Sequence, residues 1–360
     1  MPWIEEARSV FDEVVIFVDE KRATTGTLKR AKKAASRVLL NKADTWYGPN
    51  WALMAPECDW VFMLDYDEQL SPEWHTPGWR QILEKDQFTH FWFSRRWVVP
   101  GQRYITSDPW WPDLQLRLLR NNLRGTVFPK KIHDPIHVPG CGAYLPGLAI
   151  HHHVLWLTSR ETRLEKVRYY EELRPGEGLG HLYLYEDYHP LEAPLPRPQK
   201  LPVNNEALSM DRLLPEDILK VSYRVTGVPR TVRASALFWL DVEVANGGDR
   251  ILYPYPPFPV RLAYHWIAKS TRRMVVFEGH RSGLFPCLPA YESLLCRMAV
   301  VAPSQPGEYI LQVTLVQDGV SWFEEMDSDA MREFFVSVFA EDRIPEKVGR
   351  KLRRTGPRRV

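Results

Sequence analysis

Apolar and polar positions change rhythm about half-way along the chain. In the first half, short unbroken apolar runs alternate with stretches of helical period. Val14 to Val18 is one such run, closed by Asp19. Val38-Leu39-Leu40 is shorter, and Val61 to Leu64 follows a Cys58-Asp59 turn and runs straight into Asp65, Asp67 and Glu68. Unbroken runs of this length predict strands buried on both faces, as in a parallel sheet. Residues 3–10 predict the end of a helix, 27–37 a basic helix with a solvated face, 50–57 a helix leading into the acidic strand, and 158–173 an amphipathic basic helix. Ser71-Pro72 predicts another helix start, because serine caps and proline fits the first helical position. His90 to Val98 and Gln115 to Arg120 read as further strands, the second half-exposed because apolar and basic residues alternate.

Beyond that the punctuation changes. His189 to Pro198 is too rich in proline for a helix or a central strand, so residues 186–215 read as a linker. Val232 to Ala245, Val260 to Ile267, Arg273 to Glu278, Ser293 to Val301 and Tyr309 to Val316 then form short alternating runs separated by Gly, Pro and Asn. This spacing predicts a β-sandwich over residues 216–340. Residues 341–360 carry eight Arg or Lys against three acids and read as a disordered basic tail.

Composition adds bounds. A chain of 360 residues with 44% hydrophobic content supports about two domains, each with its own core. A net charge of +2 gives no general pull toward nucleic acid. Cys58, Cys141, Cys287 and Cys296 are far apart and read as reduced. No apolar run approaches the ~18–20 residues of a membrane span, and the N-terminus lacks a signal pattern, so a cytoplasmic protein is expected. The basic tail suggests peripheral contact with the inner face of an anionic membrane, at about 1 kcal/mol per basic residue.

The acids after Leu64 carry the chemistry. On an extended backbone Asp65 and Asp67 share one face and Tyr66 takes the other. Two carboxylates at the end of a buried strand suit magnesium or manganese, with a diphosphate completing the shell. The same pair also serves as an ordinary solvated loop start, so context has to decide.

That context is a resemblance. Asp65-Tyr66-Asp67-Glu68 resembles the Asp-x-Asp-Glu segment of family 2 glycosyltransferases of the GT-A fold. Asn50-Trp51-Ala52-Leu53 resembles the family's Arg-Asn-x-Ala-Leu, with Pro49 in place of the arginine. Phe11 to Asp19 with Thr24-Thr25-Gly26-Thr27 resembles its second strand and the following loop. The resemblance implies an α/β first domain over residues 1–185, a GT-A-like Rossmann-type mixed sheet flanked by helices. Its first strand would be missing, since the chain starts too late to hold it.

The same resemblance implies donor contacts from Asp19, Asn50, Asp65 and Arg117, and a divalent metal held by Asp65, Asp67 and His151. Because Lys131 to His137 resembles a His-Glu segment in part of the family, it also implies Asp134 as the base for the acceptor hydroxyl, with His133 beside it, and an inverting transfer. Aspartate there is one methylene shorter than the usual glutamate. Asn246-Gly247-Gly248, Pro306 to Tyr309 and Asp318 to Phe323 resemble an immunoglobulin-like module that sits beside polysaccharide enzymes. In that module Trp239, Trp266 and Trp322 are candidate sugar platforms, Trp266 also lying within an alternating apolar strand.

The expected activity is transfer of a sugar from a nucleotide-sugar donor to a glycan or lipid-linked acceptor. The rival is an inactive glycan-binding protein on a degenerate transferase domain. A nucleotidyltransferase would need a Gly- and Lys-rich phosphate loop, which is not visible.

Overall fold

Strands dominate the architecture. The computed structural model describes residues 2–41, 58–76, 78–85, 87–121, 123–128, 136–173, 180–196 and 206–340. Strands hold 42% of them and helices 21%.

The chain opens with α1 (Pro2–Val10), which buries Ala7 and Val10. Strands β1 (Val15–Asp19) and β2 (Arg37–Asn41) follow, joined by α2 (Thr25–Ala34) and paired in parallel as a sheet of their own. Thr24 starts α2 by accepting the Thr27 N–H at 3.1 Å. A second, larger sheet is built on β5 (Phe88–Val99), which lies antiparallel to β7 (Asp113–Arg120) and parallel to β8 (Cys141–His152). Strand β3 (Trp60–Phe62) adds antiparallel to β7, and β4 (Glu68–Leu70) adds antiparallel to β8. Near the end of β5, β6 (Arg103–Ile105) pairs with β5 and with β9 (Glu192–Pro194). Two helices, α3 (Val154–Leu157) and α4 (Arg160–Leu173), follow β8. Aromatic rings fill this core: Phe62 lies 4.8 Å from Trp74, and Trp74 lies 5.0 Å from Phe93.

This corrects the expectation of one Rossmann-type sheet flanked by helices. The described residues form a predominantly β protein of four sheets, and β1 and β2 stand apart from the sheet that carries β3. The reason lies in what an apolar run encodes. Val15, Ile16 and Phe17 are only partly buried, and β3 pairs antiparallel, so neither run is a strand enclosed on both faces. Ser71 also departs from its expected role. Its hydroxyl accepts the Ala149 N–H at 3.2 Å and only a short 3₁₀ turn, Pro72–His75, follows.

The second half is a β-sandwich. One sheet contains β10 (Val221–Thr226), β12 (Leu237–Asn246) and β16 (Ser293–Val301). The other runs β11 (Thr231–Arg233), β19 (Arg332–Phe339), β17 (Gly307–Gln317), β13 (Val260–Ala268) and β14 (Met274–Val276). Short strands β15 (Ser282–Gly283) and β18 (Ser321–Trp322) pair with β13 and β17. Alternate residues point inward, as a half-buried strand requires: Leu240, Val242 and Val244 meet Leu262, Tyr264, Leu311 and Val313.

Two of the proposed sugar platforms are structural. Trp266 is fully buried and donates to the Val301 carbonyl at 2.9 Å, whereas Trp239 donates to the Asp108 carbonyl at 2.8 Å and so belongs to the junction between the halves. That junction has a shared apolar cluster in which Trp97, Val99, Ile105 and Trp110 pack with Leu237 and Ala299. Among the described residues, no helix is long and apolar enough to cross a membrane.

Candidate functional site

The acids that follow β3 lie on a tight turn, not on an extended strand. The Glu68 N–H donates to the Asp65 carbonyl at 3.0 Å, and the Asp65 N–H donates to Glu68 Oε2 at 3.1 Å. Asp65 and Asp67 therefore do not share a strand face, because the turn sends their side chains to different partners. Arg117 holds the turn from β7. Its Nη2 donates to Asp65 Oδ2 at 2.9 Å and to Glu68 Oε1 at 2.6 Å. Strand register brings it there, since the Met63 N–H bonds the Arg117 carbonyl at 2.8 Å.

Glu68 is 1% exposed, and a second arginine reaches it: Arg95 Nη1 donates to Oε1 at 3.2 Å. Arg95 also binds Asp113, which takes the Trp97 indole N–H at 2.7 Å and the Gln115 amide at 2.6 Å. Burial disfavours the Asp113 carboxylate, but the charge and hydrogen bond of Arg95 outweigh it and hold its pKa below the usual range. The turn is thus braced by a closed network in which each buried charge has a partner.

Asp67 is 4% exposed and faces His152, whose Nε2 lies 3.5 Å from Oδ2. Burial works against the Asp67 charge, but the His152 contact and the nearby Lys166 more than offset it, so its pKa is lowered. Burial also lowers the pKa of His152, with Arg95 adding repulsion. Lys166, on α4, is shifted down by burial and lies 4.6 Å from the Tyr183 ring.

The consecutive histidines divide among three environments. His151 Nε2 accepts from Arg96 Nη1 at 3.2 Å, and burial with the Arg96 charge pushes its pKa down to about 3. His153 stacks on Trp3 at 4.5 Å, accepts the Trp156 N–H at 2.7 Å, and is pushed down by burial to about 4. Asp65, Asp67 and His151 therefore do not converge. Among the described residues, no group of three His, Cys, Asp or Glu is placed to hold a metal.

The other expected residues are scattered. Asp19 closes β1 in the separate sheet and accepts the Lys21 N–H at 3.0 Å. Asn50, His133 and Asp134 lie outside the described residues. Glu68, Arg95, Asp113 and His152 were not singled out from sequence as site residues. The signal was a pair of arginines, Arg95-Arg96, inside an otherwise apolar strand, which alternation sends to opposite faces.

No family model matches the chain, and no curated protein matches it. Similar solved structures include a β-glucosidase from Listeria innocua in complex with isofagomine, 14% identical with a TM-score of 0.24 over 33% of this chain and 16% of that one. They also include the CARDB domain of the PF1109 protein from Pyrococcus furiosus in complex with di-metal ions, 18% identical with a TM-score of 0.22 over 33% of this chain and 87% of that domain. A β-glucosidase from Erythrobacter marinus is 12% identical with a TM-score of 0.22, over 33% and 16%. The chain thus spans about a sixth of the glucosidases it matches. The expected membership of family 2 glycosyltransferases is corrected. The described residues form a mostly-β protein and not the α/β sheet that membership would bring, and no family model matches, so the chain is not assigned to that family.

Proposed function

We propose that the turn from Asp65 to Glu68 is a reaction site at which a sugar passes from a nucleotide-sugar donor to a glycan or lipid-linked acceptor. The observation that carries the reading is the contrast within the turn. Glu68 and Asp67 are buried, whereas the Asp65 side chain, bonded to Arg117, is 36% exposed and Tyr66 is 79% exposed. A rigid base thus presents one carboxylate and one aromatic ring to solvent, which suits a polar ligand with an apolar face.

Of the three expected ligands Asp65 alone would be left to hold a magnesium or manganese ion, and its Oδ2 is shared with Arg117 at 2.9 Å. Asp67 and His151 do not fit, being turned to His152 and Arg96. Bound there, such an ion would neutralise charge on the diphosphate leaving group. Arg117 positions Asp65, and Lys166 supplies positive charge beside Asp67. In this reading the base for the acceptor hydroxyl is Asp134 with His133, as the resemblance to the His-Glu segment implies; both lie outside the described residues. The enzyme would act in the cytoplasm, with the basic tail near the inner membrane face.

A second reading, glycan binding without turnover, is favoured by one observation: Arg117 already neutralises Asp65 in this arrangement. Calorimetric titration of uridine and guanosine diphosphates, with and without manganese, separates the two. Metal-dependent binding that Asp65→Asn abolishes supports transfer; heat that is the same with and without manganese, or no binding at all, rejects it.

A further inference from the structure

We infer that the cleft between α1 and the turn after β4 is a second reaction site, built for a carboxylic ester with a short acyl chain. Ser9 is its nucleophile, His75 its base and Glu6 the acid that positions the base. Ser9 and Glu6 stand three residues apart on α1 and so share one face of the helix. The 3₁₀ turn Pro72–His75 brings the imidazole over that face, because Trp74 anchors the turn with its indole N–H on the Ala149 carbonyl at 2.8 Å. His75 then lies between the two: Nδ1 is 3.5 Å from Ser9 Oγ and Nε2 is 3.4 Å from Glu6 Oε1. Nucleophile, base and acid in that order are recognised by geometry and roles, not by place in the sequence.

Each member is held as its task requires. Gln69, on β4, donates to Glu6 Oε2 at 2.8 Å and is itself bonded to His153 Nε2 at 3.0 Å, so one carboxylate oxygen is fixed and the other is left for His75. A carboxylate at Nε2 takes the N–H of the neutral ring and leaves Nδ1 as the acceptor facing Ser9. The Ser9 hydroxyl rests on the Glu6 carbonyl at 2.6 Å and has to swing its proton to His75, a looseness usual before substrate is bound. Ser9 is exposed and the His75 side chain is 41% exposed, so both can be reached from solvent. Val10, Trp74, Trp79 and Arg80 line the same cleft. Its volume of about 360 Å³ lies near the small end of the ~300–1,000 Å³ of ligand pockets, which suits a short acyl chain.

In the reaction His75 Nδ1 takes the Ser9 proton as Oγ bonds to the acyl carbon, and the carbonyl electron pair moves onto oxygen. The pair returns as the alcohol leaves with the proton from His75. Water then adds to the acyl carbon, giving a proton to the same nitrogen, and the carboxylic acid departs as Oγ takes that proton back. The net change is ester and water to acid and alcohol, with no oxidant or reductant. Arg80, fixed by the Val10 carbonyl and by Asp12, supplies positive charge beside the oxyanion. Asp12 is 89% exposed, so water screens its hold on that charge. An ester suits the site better than an amide, because an alcohol leaves more easily than an amine and this cleft does not exclude water. The inference is independent of sugar transfer at Asp65.

The test is labelling of the full chain with a fluorophosphonate, followed by peptide mass analysis, alongside hydrolysis of p-nitrophenyl acetate and butyrate without nucleotide or metal. The label should sit on Ser9, and Ser9→Ala should lose ester hydrolysis. His75→Gln should slow both labelling and hydrolysis about a hundredfold. Glu6→Gln, which changes the positioning residue, should lower kcat about tenfold and leave KM unchanged. Ser9 and His75 lie at the surface, so their variants keep the fold; should Glu6→Gln lose it through Gln69, the other two decide. No label, a label on other residues alone, labelling of Ser9 at the parent rate in His75→Gln, or full ester hydrolysis by Ser9→Ala would overturn the assignment.

Discussion

Asp108 accepts the Ser282 hydroxyl at 2.6 Å across the junction between the two halves of the chain. The same carboxylate takes the Ala299 N–H at 3.2 Å and lies 3.0 Å from His280 Nε2, while its own carbonyl takes the Trp239 indole. One loop residue of the first sheet is thus bound at several points to the edge of the sandwich. Ser282 and Ala299 are buried beneath it, while the Asp108 side chain itself stays 19% exposed at the rim of the junction.

Removing that carboxylate should therefore act on the whole molecule. Asp108→Ala takes the acceptor from the Ser282 hydroxyl, at about 1–3 kcal/mol for a buried group left unsatisfied, while the Ala299 N–H keeps Ser282 Oγ at 3.1 Å. We expect a loss of about 1–3 kcal/mol in urea unfolding, with the two halves unfolding in separate transitions. A change below about 0.5 kcal/mol with one transition would show that the apolar cluster alone fastens the halves.

The strands of the sandwich were legible in sequence because period-2 alternation and turn residues mark them whatever the tertiary context. The turn at Asp65 was not. Its conformation depends on Arg117, which is 52 residues away, and on Glu68 bonding back to Asp65, and neither leaves a mark in local hydrophobicity. Apolar runs misled for a related reason. Val15 to Phe17 has the composition of an enclosed parallel strand, but composition does not say whether a second layer covers it. The tryptophans were ambiguous in the same way, since Trp239 and Trp266 could be sorted only once their indole partners were known.

Acid should destabilise the protein earlier than its carboxylates require. Burial depresses His90 and His153 to about 4, and burial with the Arg96 charge depresses His151 to about 3. An unfolded histidine titrates near ~6.5, so the unfolded chain binds more protons than the folded one between about pH 6.5 and 4. Stability from these groups is complete above that window and is lost as pH falls through it, with an upper bound near ~1.4 kcal/mol per pH unit for each. Urea unfolding at pH 7, 6 and 5 measures the slope, and His153→Gln should reduce it, since it removes one of four imidazoles, His152 included, whose pKa burial lowers. A flat profile down to pH 5 would mean that the imidazoles open to water on protonation at little cost.

Gly142 should not accept a side chain. It pairs with His90 in the β5–β8 ladder, and a Cβ there would sit 2.2 Å from His90 Nε2. The His90 ring is 7% exposed and its Nδ1 lies 3.0 Å from the Thr89 hydroxyl, so it has little room to retreat. Gly142→Ala should cost about 1–3 kcal/mol, the usual range for overpacking, and the double variant with His90→Ala should recover part of it. Equal stability of Gly142→Ala and the parent in thermal unfolding would show that the ring moves freely.

Arg117 and Asp65 should separate stability from ligand binding at the proposed reaction site. Arg117 is 5% exposed and bonds the buried Glu68 as well as Asp65, so Arg117→Met leaves Glu68 with Arg95 as its one remaining cationic partner and should cost about 3–5 kcal/mol. Arg117→Lys keeps the charge but loses the planar fork, and should fall between the two. Asp65 is half-exposed and its exchange for Asn should cost less than ~1 kcal/mol, because a partly solvated ion pair contributes little. The same Asp65→Asn protein should nevertheless lose manganese-dependent binding of nucleoside diphosphate by at least tenfold. If Asp65→Asn destabilises the fold as much as Arg117→Met does, the exposed carboxylate is part of the brace, and the turn presents no free group with which to hold a donor.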